Sequence, residues 1–369
     1  MKPLRCFLLW LLPLAAALPG RSEIPDFLSP EARPDGQVVF RFYAPAAHAV
    51  AVQGLRNHAP VAMVKGKDDV WTTTVAGLAP DMYSYSFNVD GATALDPRNR
   101  DIKRWITSES GFEIVGTPPP AWALQAVPHG TLHRHLYTSA VARREAAFLV
   151  YTPPGYDPRS DRTYPVVYVL HGYGDDEGAW SENGHAHLIA DSLLARGAMK
   201  AAILVMPNGH PRPIPTTREK DYSAANLAAM QDAIIQELLP LIERDYRVSR
   251  VPAERAIVGL SMGGGQSLTI GLGHPELFQW VGGFSSAAPN EDLDARFAGL
   301  LQATKKHEPS PRLLWIAIGK DDFLLKQNQT FTAWLTANNV PFKWKLTDGG
   351  HEWTNWRAYL EEFLGQIFR

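Results

Sequence analysis

The rhythm of apolar and polar positions changes twice along this chain. Residues 6–18 form an unbroken apolar or small run behind the positive residues Lys2 and Arg5, with small residues at Ala15, Ala16, Ala17 and Gly20. Such a run is shorter than the about 20 residues that cross a bilayer. Residues 1–22 are therefore expected to be an export signal, which would make the chain secreted or periplasmic in a bacterium. From residue 23 to 116 the period is two: Val38, Phe40 and Phe42 share one face, Val50 and Val52 another, then Trp71 to Val75, then Tyr83, Tyr85, Phe87 and Val89. Turn formers separate these runs at Asp35-Gly36, Gly66, Gly77, Pro80-Asp81 and Asp90-Gly91. Short strands with frequent turns predict an antiparallel sandwich. Trp71, Tyr83 and Tyr85 are expected to be core or half-core residues of a module that supports its neighbour.

The proline triplet Pro118-Pro119-Pro120 breaks every period, and 117–124 reads as a semi-rigid linker. Beyond it, over 125–369, strand and helix patterns alternate. Strands are predicted over 145–152, 164–170, 201–206, 256–260, 280–284, 313–318 and 341–346, and helices over 185–196, 227–246, 264–273, 328–338 and 353–368. Alternation of this kind implies an α/β fold with a mostly parallel sheet covered on both faces. Ligands in such folds bind at the carboxyl ends of the strands.

Composition narrows the chemistry. Cys6 is the only cysteine and lies in the expected signal, so the remaining chain has no thiol for a disulfide, a nucleophile or a metal. Lys and Arg number 36 against 38 Asp and Glu, a balance that offers no bulk attraction to nucleic acid or to an anionic membrane. A neutral or weakly charged partner is expected, with no cofactor. His185 and His187 could suggest a metal pair, but two residues apart on a helix they point to different sides and no carboxylate cluster joins them, so no metal site is expected.

Three strand ends carry candidate nucleophile, base and acid residues, and a fourth carries a turn suited to an oxyanion. Gly259-Leu260-Ser261-Met262-Gly263 follows one predicted strand and opens a helix, the setting of the nucleophile elbow of α/β-hydrolases, where glycines two residues either side leave room for a sharp turn. The helix N-terminus would aim backbone N–H groups at the serine oxygen and at an oxyanion. A serine needs a base, and among 12 histidines His351 stands apart, after Asp348-Gly349-Gly350 at a strand end. The imidazole needs a carboxylate to hold its tautomer. Gly319-Lys320-Asp321-Asp322 follows another strand, and the motif leaves Asp321 and Asp322 equally eligible. The turn His171-Gly172-Tyr173-Gly174 can offer an oxyanion amide alongside that of Met262.

Together these strings resemble a known group. Residues 143–156, Val169-Leu170-His171-Gly172-Tyr173-Gly174 with Trp180, residues 259–267 and residues 349–356 are similar to the feruloyl-esterase and esterase-D-like group of carbohydrate esterases, across essentially all of 125–369. The resemblance implies an α/β-hydrolase fold, a nucleophile at Ser261, a base at His351 and an acid at Asp322, the third residue after the strand-end glycine. It also places the oxyanion amides on Tyr173 and Met262. Phe40-Arg41-Phe42-Tyr43-Ala44-Pro45 and Leu95-Asp96-Pro97-Arg98-Asn99 resemble the early-set immunoglobulin-like, carbohydrate-binding modules of starch-active enzymes. The implied activity is hydrolysis of ferulate or related hydroxycinnamate esters on arabinoxylan, with Trp180, Trp353 and Trp356 expected to flank an aromatic acyl group or a sugar. One departure is the pair Asp175-Asp176, where many relatives carry small residues; it bears on the leaving group. An acetyl-xylan or siderophore esterase, or an acyltransferase, would share the triad. A glycan-binding protein with an inactive hydrolase domain is the non-enzymatic alternative.

Overall fold

The computed structural model describes residues 24–33, 36–103, 108–216, 219–306 and 311–369; the expected export signal and Cys6 lie outside them. Among the described residues no helix is long and apolar enough to cross a membrane.

From Glu31 to Glu113 every strand pairing is antiparallel, in two sheets. One is centred on Val38–Tyr43 beside Val70–Val75; the other has Met82–Val89 between Val50–Gln53 and Glu109–Glu113. The alternating positions meet inside, where Phe40, Tyr85 and Phe112 pack edge to face with centroids 4.9 to 5.8 Å apart. Asp96 is buried in the loop between the strands Ala92–Ala94 and Ile102–Lys103. It accepts hydrogen bonds from the hydroxyls of Ser29 at 2.7 Å and Tyr85 at 2.6 Å, and its own amide donates to Ser110 Oγ. Those partners satisfy a carboxylate that would otherwise be costly to bury.

The second region is an eight-stranded sheet of the α/β-hydrolase type. Its spatial order is Thr131–Ser139, Arg144–Thr152, Ile203–Pro207, Val166–Leu170, Arg255–Leu260, Trp280–Phe284, Leu313–Gly319 and Lys343–Thr347. The first two strands are antiparallel to their neighbours and the rest run parallel. Alternation along the buried strands feeds two cores. Val167, Val169 and Val258 face the helices Ala186–Ala195 and Trp353–Leu364, while Tyr168, Leu170 and Ile257 face Tyr222–Asp232, Ser261–Gly273 and Leu325–Ala337. Val166–Leu170 and Leu313–Gly319 are buried at every position, which is why they read as continuous apolar runs.

Thr131–Ser139 went unrecognised in the sequence. It is an edge strand, rich in polar residues, and its apolar members Leu132 and Leu136 point to solvent, so no burial pattern marks it. The helix expected over 227–246 begins earlier, at Tyr222, and passes through a π-helical stretch at Ala233–Leu238. The segment read as a linker packs closely: Trp122 is buried in the hydrolase core, stacks beneath the guanidinium of Arg357, and its carbonyl accepts a hydrogen bond from His185 Nδ1.

Candidate active site

Ser261 stands where Arg255–Leu260 turns into the helix Ser261–Gly273, and its backbone φ of 51° lies in the left-handed region. A non-glycine residue held there is strained, a cost that recurs at catalytic turns. The flanking glycines are needed for a measurable reason. A Cβ on Gly259 would sit 2.5 Å from the Gly263 carbonyl oxygen, and one on Gly263 would sit 2.4 Å from the carbonyl oxygen of His171. Backbone cannot yield at such distances, so the turn closes only without side chains.

His351, in the loop after Lys343–Thr347, has Nε2 2.9 Å from Ser261 Oγ. Its Nδ1 lies 2.9 and 3.1 Å from the two carboxylate oxygens of Asp322. A carboxylate can only accept, so Nδ1 carries the proton and Nε2 is left to accept from the serine hydroxyl. The Asp322 side chain is fully buried and also accepts the Leu324 amide at 2.8 Å. Burial by itself would raise its pKa; the hydrogen bonds from His351 and Leu324 outweigh that and hold it below the ordinary carboxylate range. Asp321, the other eligible acid, is exposed, and its amide donates to the Gly349 carbonyl. The structure thus brings together Ser261, His351 and Asp322 and leaves Asp321 outside.

Gly172 and Tyr173 come shortly after Val166–Leu170; a Cβ on Gly172 would stand 3.5 Å from that of Ser261, and Tyr173 lines the cavity beside it. Met262 is the second residue of that helix, within the first turn whose amides have no intrahelical acceptor. A residue whose role the sequence did not disclose supports this turn. His171 is buried, accepts the Gly209 amide on Nε2 at 2.7 Å, and must therefore donate from Nδ1 to the Gly172 carbonyl at 2.8 Å. Burial lowers its pKa, so it stays neutral and keeps that pattern.

The three tryptophans separate. Trp353 and Trp356 line the cavity beside Ser261, and the Trp356 ring meets His351 edge-on at 5.0 Å. Trp180 does not reach it. It is 1% exposed, its indole N–H donates to the Leu170 carbonyl, and it backs Trp353 edge-on at 5.2 Å. The expectation that Trp180 flanks the substrate is corrected: its size and its one polar atom are both used by the core.

The cavity, about 340 Å³, is built by both halves of the chain. The hydrolase side contributes Ser261, His351 and the tryptophans, and the sandwich contributes Arg56, Tyr83, Lys103 and Phe112. Tyr83 is mostly buried, as expected, yet one side of it forms wall. The halves are pinned by Asp81, a buried carboxylate of the sandwich. It pairs with Arg56 at 2.7 Å, with the buried guanidinium of Arg357, and with the Thr354 hydroxyl. Arg56 also reaches Glu352 at 3.3 Å. One sandwich carboxylate therefore holds residues just after His351. Nothing in the local sequence signals this, because the partners are far apart along the chain.

Asp175 also lines the cavity. Desolvation raises its carboxyl to about 7, Lys103 opposes and Asp176 adds to the rise. Unfolded, this group loses its proton near pH 4; folded, it keeps it until about 7. It therefore favours folding least above pH 7, and native stability drains away between those values as pH rises. Asp175→Asn is expected to melt at a higher temperature than the parent at pH 8 and at a similar one at pH 4. Equal melting shifts at both pH values would contradict this.

Among the described residues no group of three or more His, Cys, Asp or Glu side chains could hold a metal ion.

Comparison with known proteins agrees with this layout. Residues 139–367 match the family described as "Putative esterase", and residues 28–105 match carbohydrate-binding module 48, the isoamylase N-terminal domain. An endo-1,4-beta-xylanase/feruloyl esterase of Xylanibacter ruminicola is 28% identical over 96% of this chain and 49% of its own length. The iron(III) enterobactin esterase of Escherichia coli is 28% identical over 70% of this chain and 63% of that protein. The chain thus spans about half to two-thirds of the length of these relatives. Among solved structures, a ferulic acid esterase from Anaeromyces mucronatus is 26% identical with a TM-score of 0.58, covering 67% of this chain and 93% of that one. The enterobactin esterase of Shigella flexneri, 21% identical, shares the fold over 89% of this chain and 92% of its own, with a TM-score of 0.62. With the serine elbow and every strand of the hydrolase sheet except the edge strand Thr131–Ser139 inside a match that covers well over half its length, this chain belongs to that esterase family.

Proposed function

We propose that this protein is an exported serine carboxylester hydrolase that releases ferulate or a related hydroxycinnamate from plant cell-wall polysaccharide. The observation that carries the reading is the hydrogen-bonded chain Asp322–His351–Ser261 opening into a cavity of about 340 Å³. That size is at the small end of ligand sites and suits a flat aromatic acyl group, walled by Trp353, Trp356 and Phe112, better than a polymer. The xylanase/feruloyl esterase relative and the ferulic acid esterase structure support the same acyl class.

The residues would act in order. His351 Nε2 takes the Ser261 proton as Oγ attacks the ester carbonyl. The negative charge that forms on the carbonyl oxygen is met by the amides of Tyr173 and Met262. His351, held and balanced by Asp322, returns the proton to the departing sugar alcohol and leaves an acyl-serine. Water, deprotonated by the same imidazole, attacks that ester, and Oγ leaves with the proton from His351. No cofactor is required.

Rates on methyl ferulate, on an acetylated xylan and on a catecholate trilactone test the acyl class. The expected result is a kcat/KM for methyl ferulate at least about tenfold above the other two, a difference of ~1.4 kcal/mol in transition-state binding. The Shigella flexneri enterobactin esterase shares the fold over 89% of this chain, so a preference for the trilactone would transfer the reading to siderophore esters.

A further inference from the structure

Two aromatic side chains are the most exposed among the described residues, Tyr173 at 41% and Phe323 at 75%, and both adjoin the triad. Tyr173 follows Gly172 in the turn proposed to hold the oxyanion, its ring set edge-on to His210 and Tyr222. Phe323 directly follows Asp322, and its ring centroid is 4.5 Å from that of His351. Exposed apolar residues scattered singly need no explanation. Two exposed rings beside one reactive serine and histidine, with the other aromatics drawn inward, are a different matter.

Geometry separates the sides of the imidazole. Trp356 meets His351 edge-on at 5.0 Å and belongs to the cavity wall; Phe323 also packs on His351 but lies outside that wall. In the reaction proposed above, the alcohol oxygen must come within about 2.6–3.2 Å of His351 Nε2 to receive its proton. Whatever is attached to that oxygen then leaves past the rim of the histidine. A polysaccharide does not fit a cavity of about 340 Å³, so the acyl group takes the cavity and the glycan stays at the rim. There it meets aromatic surface.

We propose that Phe323, with Tyr173, forms a stacking subsite for the neutral sugar ring that carries the ester. The inference rests on the hydrolase reading and adds where the alcohol is recognised. A furanose or pyranose presents a face of C–H groups, and such a face packs flat on an aromatic ring without requiring charge. Lys320, a few residues before Phe323, already pairs with Asp348 at 2.8 Å. Specificity for the glycan then resides at the rim of the acyl cavity, where Tyr173 is still part of the wall and Phe323 lies outside it.

The test compares two esters of the same acid, methyl ferulate and a feruloylated arabino-xylooligosaccharide, in the full chain. For Phe323→Ala, the ratio of kcat/KM on the oligosaccharide to that on methyl ferulate is expected to fall by about fivefold, equivalent to ~1 kcal/mol of stacking. Phe323→Trp should restore the ratio. Because Phe323 touches His351, a loss common to both esters would reflect a disturbed base, and an unchanged ratio in that case overturns the proposal. So does a lowered ratio that Trp fails to recover. Should Phe323→Ala melt early, Phe323→Leu carries the same comparison. If the parent chain hydrolyses neither ester, the hydrolase reading itself has failed, a result distinct from an unchanged ratio between two active esters.

Discussion

Ser261→Ala will lower kcat on methyl ferulate by roughly 10⁵- to 10⁶-fold, the loss typical when one member of a serine triad is removed. The alanine deletes one oxygen, the atom hydrogen-bonded to His351 Nε2 at 2.9 Å and proposed to form the acyl bond. It leaves the strained turn as it was, because alanine pays the same cost as serine at a φ of 51°. The glycines at 259 and 263 still let the strand and helix close. The melting temperature should therefore stay near that of the parent, and substrate should still bind in the cavity. What little turnover remains would come from the oxyanion amides and from binding alone. Labelling by a fluorophosphonate should vanish with the substitution. Turnover within tenfold of the parent would mean that another group is the nucleophile.

Asp322→Asn is expected to cost roughly 10⁴-fold in kcat with KM little changed. The shape is kept, and the reason for the loss is the proton. An asparagine amide can donate to Nδ1, which favours the tautomer with hydrogen on Nε2, and that nitrogen can no longer accept from Ser261 Oγ. The positive imidazolium formed during attack also loses its counter-charge in a buried place. Because the folded carboxyl titrates below the ordinary range, Asp322 stays ionised across the neutral and mildly acidic region. Its contribution to folding is present above the unfolded carboxylate pKa and disappears only as pH falls through the folded one. A kcat near that of the parent would place the orienting carboxylate elsewhere.

Much of this site was legible from residue order, for local reasons. The elbow is a short-range object: a buried strand, a serine between spaced glycines and a helix all lie within 255–273, and sterics alone fix what may stand at each position. His351 was marked by its loop beside a strand end. The choice between Asp321 and Asp322 came from resemblance, since both follow the same strand and only the turn that sends one inward, against His351, distinguishes them. Trp180 misled because a large amphipathic ring near a reactive turn looks the same in sequence whether its N–H meets a ligand or, as here, the Leu170 carbonyl.

Order along the chain was enough for the two-part architecture, the strand alternation and the candidate serine and histidine, because periodicity and backbone sterics act between neighbours. Only folding in three dimensions made the sandwich a wall of the cavity, seated Asp81 between Arg56 and Arg357, and left Phe323 uncovered beside His351. Those features depend on which distant surfaces meet and which remain in water, and pairings across some 270 residues leave no period for a sequence to display.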